Sequence, residues 1–149
     1  MNRAWMLIVA VTAFLSISGC EREKDRLDAE VRRLCAYDGG IKVYEQVALP
    51  ADKFDRYGSI SFYRRMSKEP LGSEYRFESK TDYYQKGNPE MWRNYYGVIR
   101  RSDGKILGEA ISYGRRGGDL PGPWHESSFR CPEHAGDASL LKQIFVKAK

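Results

Sequence analysis

The scarce reactive side chains in the body of this 149-residue chain are Cys35, Cys131, His125 and His134. The stretch "HESSFRCPEH" places the two histidines on either side of Cys131. A zinc site would need three or four ligands. Glu126 and Glu133 could add to the histidines, but a His-x8-His spacing matches no metal signature, and an oxidised Cys131 could not ligate. Neither metal nor cofactor is expected. His125 with Ser127 or Ser128 contains the ingredients of acyl transfer, yet the chain has no G-x-S-x-G elbow. H-E-x-x-H and the phosphate-cradling G-x-x-x-x-G-K-[ST] are also missing. Catalysis is therefore not expected. The alternative is an envelope hydrolase using His125 with a nearby serine or carboxylate.

The densest cluster of unusual residues runs from Arg115 to His125, "RRGGDLPGPWH". Read as a recognition loop, its glycines expose backbone N–H groups, Arg115 and Arg116 grip an anion, and Trp124 offers a stacking face. Read structurally, it is a crossing loop in which Trp124 packs on the core and Asp119 pairs with an arginine. The adjacent aromatics Tyr83-Tyr84 and Tyr95-Tyr96 pose the same choice between an exposed binding ladder and packed rings.

Cys20 stands apart. It ends the apolar run Ala4–Ile17, which follows the basic start Met1-Asn2-Arg3 and leads into small residues at Ser18 and Gly19. A basic start, a short apolar centre and a small-residue cleavage site make a secretory signal. The run falls short of the roughly 20 apolar residues that span a bilayer. Ile17-Ser18-Gly19-Cys20 resembles the bacterial lipobox. That resemblance implies that Cys20 receives a diacylglyceryl group and that residues 1–19 are cleaved. Acyl chains then hold the protein, since each buried CH2 contributes about 0.8 kcal/mol and two or more chains anchor firmly. Glu21 after the cysteine, by similarity to enterobacterial sorting, directs the chain to the outer membrane, facing the periplasm.

With Cys20 lipidated, Cys35 and Cys131 remain as an even pair in an oxidising compartment, where a disulfide is the direct reading. Cleavage would remove one charge, Arg3, and take the formal charge from +5 to +4. That is mildly basic and interleaved, with no basic stripe to suggest nucleic acid. Anionic headgroups or cell-wall polymers are physically compatible partners.

These residues need a scaffold. Leu27, Val31 and Leu34 fall at i, i+4, i+7 within Asp25–Ala36, which predicts a helix stopped by Asp38-Gly39-Gly40, with Asp28 and Arg32 pairing on its wet side. Residues 20–24 are then a short lipidated tether, and 25–149 one globular domain. Ile41–Leu49 alternates as a strand with Glu45 as the exception. Residues 50–58 suit one or two helical turns, and Ile60, Phe62 and Met66 mark a second strand. Tyr75, Phe77, Thr81 and Tyr83 alternate with charged residues as a half-buried strand. Trp92–Arg101 and Lys105–Tyr113 read as a hairpin about Asp103-Gly104, with a type I′ turn that sets Tyr96 opposite Ile111 and Arg100 opposite Leu107. The stretch from Gly114 to Gly136 has too many Gly and Pro for regular structure. Leu140, Leu141, Ile144 and Phe145 suit a short helix, or an edge strand at 144–146.

The sum is an α+β fold: an N-terminal helix on a roughly five-stranded, mostly antiparallel sheet, with a disulfide-stapled C-terminal segment. A small β-barrel with one peripheral helix is the alternative. The stretches "CAYDGGIKVYEQVALPADKFDRYG" and "YGRRGGDLPGPWHESSFRCP" resemble a group of small proteobacterial lipoproteins for which no activity is established. The resemblance implies the lipoprotein address alone. The expected function is a non-catalytic, lipid-anchored binding or structural accessory module, with an envelope protein or cell-wall glycan as partner. A lysozyme inhibitor is a more specific version. Lysozymes are commonly basic, however, and a +4 domain lacks the complementary charge to steer them.

Overall fold

The computed structural model describes residues 23–120, 122–123 and 125–148. Cys20 with its apolar run, and Trp124, lie outside the described residues. Among the described residues no helix is long and apolar enough to cross a membrane.

Residues 23–38 form the first helix, α1. Its apolar stripe seats Leu27 and Val31 against Met91, Ile111 and Tyr113, with Leu34 beside them. Residues 23 and 24, expected in the tether, already belong to the helix. Asp28 does not pair with Arg32: it turns inward to Arg115, and Arg32 lies over the Phe129 ring, 4.5 Å from its centroid.

Strands β1 (Gly40–Val43), β3 (Tyr75–Gln85), β4 (Glu90–Arg100), β5 (Ile106–Arg116) and β6 (Ser128–Cys131) make one antiparallel five-stranded sheet. Its order is β1-β5-β4-β3, and β6 joins the same edge of β5 as β1, farther along the strand. The sheet does not close into a barrel. The fold is therefore α+β. A short parallel pair, β2 (Val47–Leu49) with β7 (Phe145–Lys147), lies apart from it. The helix α2 (Asp137–Ile144) runs directly into β7, so both the helical and the strand pattern of the C-terminal segment are realised in sequence.

The two faces of the sheet are covered at opposite ends. Helix α1 covers Met91, Ile111 and Tyr113 on one face. On the other face α2, Phe145 and the 60–71 segment cover Val98, Leu107 and Ala110. Side chains alternate along a strand, so consecutive residues Ala110 and Ile111 serve separate cores. The Cys35–Cys131 disulfide, spanning 96 residues, joins the last turn of α1 to the end of β6.

Four expectations need correction. Ile41–Leu49 is two strands, because the chain leaves β5 at Tyr44 and Glu45, whose amides both donate to the Leu107 carbonyl. Glu45 leaves the alternation because it turns out to Arg100 and Lys105. Residues 60–66 form no strand beyond one Phe54–Ile60 bridge, and Met66 is 97% exposed. The β4–β5 turn is not type I′, which needs two positive φ values. Only Gly104 has one, at 71°, so the loop lengthens to Arg101–Gly104, closed by the Arg100 amide on the Lys105 carbonyl at 2.9 Å. Tyr96 then faces Ala110, and an irregularity at Val98/Ile99 brings Ile99 opposite Ile106. Finally, the Gly- and Pro-rich stretch holds regular structure: Gly114–Arg116 extend β5, and Ser128–Cys131 pair with them as β6.

Candidate functional site

Arg115 belongs to the interior rather than to a recognition loop. It lies in β5, and its side chain is 2% exposed. Its Nε and Nη2 donate to the two carboxylate oxygens of Asp28 at 2.7 and 3.0 Å. Its Nη1 donates to the Gly117 carbonyl (2.9 Å), the Ser127 carbonyl (3.0 Å) and Ser127 Oγ (2.8 Å). A guanidinium buried to this degree among protein acceptors is not available to a ligand.

Asp119 is committed as well, though to a lysine instead of the expected arginine. Its Oδ1 accepts from Lys24 Nζ at 2.6 Å and from Ser127 Oγ at 2.8 Å, and its Oδ2 accepts from the Ser127 amide at 2.5 Å. The Lys24 ammonium, followed by the two Ser127 donors, holds the Asp119 carboxyl far below the ordinary carboxylate range. A carboxylate stabilised in this way is a weak proton acceptor. The Ser127 hydroxyl bonded to it is a structural link between Asp119 and Arg115. His125 is exposed and makes no hydrogen bond to Ser127 or Ser128 among the described residues. Among the described residues no group of three His, Cys, Asp or Glu side chains is placed to hold a metal ion. Together Lys24, Asp28, Arg115, Asp119 and Ser127 form an ionic lock between the first turns of α1 and the 117–127 loop.

Of the two adjacent arginines, Arg116 is the one that reaches the surface. Its Nη2 pairs with Glu90 at 2.8 Å, and its Nε lies 3.7 Å from Glu126. Being even-numbered on β5, it shares the face opposite α1. On that face the cover supplied by α2 ends at Tyr63, which packs edge-on against Phe77 at 5.6 Å and donates to Asp137 at 2.8 Å. Beyond it the sheet is open.

The open part is ordered in rows, because residues paired across antiparallel strands point to the same side. One row crosses four strands as Tyr83, Trp92, Gly114 and Arg130. Beside it runs a polar row of Thr81, Asn94 and Ser112, of which Ser112 is buried. Gly114 shapes the first row. A Cβ there would stand 2.7 Å from Trp92 Cζ2, so only glycine lets the indole lie down on the sheet. Tyr83, half exposed, continues the aromatic surface with its ring centre 6.5 Å from that of Trp92. In the polar row Thr81 Oγ1 donates to Asn94 Oδ1 at 2.9 Å. Lys86 Nζ sits over the Tyr83 ring at 5.7 Å, and Arg130 is exposed with no acidic partner among the described residues.

Compared with protein-family models, curated proteins and solved structures, the chain matches none of them.

Two of the other tyrosines singled out by the sequence stack on neighbouring rings, although Tyr84 stays 55% exposed. Tyr84 stacks on Tyr113 at 6.2 Å, and Tyr96 on Phe77 at 6.0 Å. Burial and donation to Asp38 push the Tyr113 hydroxyl up to about 12, against the opposing effect of Arg93. The adjacent pair Tyr83-Tyr84 therefore divides between the open face and the α1 face. Sequence reasoning missed Trp92, Gly114 and Arg130. Their signal was a cross-strand register, which local patterns do not contain.

Proposed function

We propose that the protein is a non-catalytic, lipid-anchored module of the bacterial envelope, held at the outer membrane through Cys20 and facing the periplasm. It captures an envelope partner with the open face of β3, β4 and β5. The observation that carries the binding reading is the Tyr83–Trp92–Gly114–Arg130 row. Rings lie accessible on a rigid sheet, with amide and hydroxyl groups beside them, where the rest of the same face is packed under α2. Binding groups held on strands pay less entropy than groups on a free loop. The lipobox and the charged stretch after it support the address. Lys24, four residues past Cys20, is already locked to Asp119, which supports a domain held close to its anchor.

The test is a photoreactive side chain placed at Thr81 in the full chain, in intact cells. Capture of an envelope component from Thr81, with none from Lys80 on the opposite face of the same strand, is expected. Equal capture from the two positions would remove this face as the recognition surface.

A further inference from the structure

We infer that the open face takes an anionic cell-wall glycan strand, lying across the strands along the Tyr83–Trp92–Gly114–Arg130 row. The inference rests on the reading of this face as the recognition surface, and it names the chemistry of the partner.

Four features favour a glycan over a protein. Two aromatic rings adjoin: the Trp92 indole covers Gly114, and Tyr83 sits beside it at an interplanar angle of 51°. Pyranose rings present C–H groups of slight positive charge, which the negative face of an aromatic ring attracts. Polar groups flank the rings instead of ringing a pocket. Thr81 is exposed and Asn94 partly exposed in the row beside them, which places a hydroxyl and an amide within reach of sugar hydroxyls. The third feature is length. Four strands make three spacings of about 4.8 Å, so the row runs about 14 Å, the span of a short oligosaccharide.

The fourth feature is charge. The cations at the two ends of the row, Arg130 and Lys86, have no acidic partner among the described residues, whereas Arg116 is answered by Glu90 and Glu126. An occupant that stacks on the centre and carries carboxylates along its edge satisfies both ends. Arg130 can hold such a carboxylate with two parallel hydrogen bonds.

Isolated peptidoglycan sacculi are the probe. The full lipidated chain in detergent micelles should co-sediment with sacculi. Tyr83→Ala and Arg130→Glu should each weaken this about tenfold, the loss expected for one ring contact or one charged hydrogen-bonded pair. Lys80→Glu, on the other face, should leave it unchanged, and sacculi whose carboxylates have been amidated should be bound as weakly as by Arg130→Glu. Both exposed-site variants should melt as the wild type does. The glycan assignment is overturned by sacculus binding that ignores the two variants, by binding to lipopolysaccharide alone, or by no binding to sacculi. If sacculi fail while the Thr81 photoprobe still captures a partner, the assignment falls and the recognition face stands. If both fail, both readings fall.

Discussion

Arg115 and Asp28 are 87 residues apart in sequence and meet through two parallel hydrogen bonds of 2.7 and 3.0 Å beneath α1. Removing one member of such a buried pair leaves an uncompensated charge, at a cost of about 3–5 kcal/mol. Asp28→Asn should therefore lower the unfolding free energy obtained from urea titration by that much. The double change Asp28→Leu with Arg115→Met should recover a large part of the loss, since an apolar pair of similar volume is often tolerated. A single variant as stable as the wild type would show that the pair contributes little.

The Cys35–Cys131 disulfide ties α1 to β6 across 96 residues. Closing a loop near 100 residues contributes about 4.7 kcal/mol in the chain-entropy description, and losing a native disulfide typically costs 2–5 kcal/mol. Reduction should lower the unfolding midpoint accordingly. Mass spectrometry of non-reduced peptides should recover Cys35 and Cys131 linked. Two alkylatable thiols in folded protein would contradict the pairing.

Acid should loosen the 117–127 loop. The Asp119 carboxyl is held far below its ordinary value by Lys24 and then Ser127. A carboxyl depressed in the folded state adds stability that is complete above its unfolded value, about 3.9, and is lost as pH falls from there towards the folded one. Wild-type protein should lose stability below about pH 4. Asp119→Asn should be less stable at neutral pH and show a flatter acid limb. Melting temperatures from pH 7 down to pH 2 are the check, and parallel limbs would contradict the linkage.

Arg115 also shows why part of the site was not readable in the sequence. "RRGGD" presents two adjacent arginines, but β5 alternates its side chains, so Arg115 enters the α1 face and Arg116 leaves on the other. Gly114 makes room for Trp92, a contact between distant positions that no local pattern shows. Local patterns did predict α1, from Leu27, Val31 and Leu34, and the β4–β5 hairpin, from Asp103-Gly104. They failed on register because Asp103 keeps a negative φ, which lengthened the loop and moved Ala110 opposite Tyr96. Ile60 and Phe62 reach the core from turns, so their apolar character mimicked a strand. The aromatic row was invisible for a related reason: Tyr83, Trp92 and Arg130 are neighbours only once three registers are known.

Anchoring has its own check. Labelled palmitate should enter the wild-type protein, and Cys20→Ala should lose it and leave the membrane fraction. Equal labelling of the two would contradict lipidation at Cys20.

Capture by the open face is tested most directly in the double variant Tyr83→Ala with Arg130→Glu, carrying the photoreactive residue at Thr81 in intact cells. Both changes are at exposed positions, where substitutions usually alter stability by no more than about 0.5 kcal/mol. The melting temperature should stay near the wild-type value while the crosslinking yield falls at least about tenfold, as expected when a stacking ring and a charged contact are both lost. Wild-type yield from a folded double variant would contradict the account.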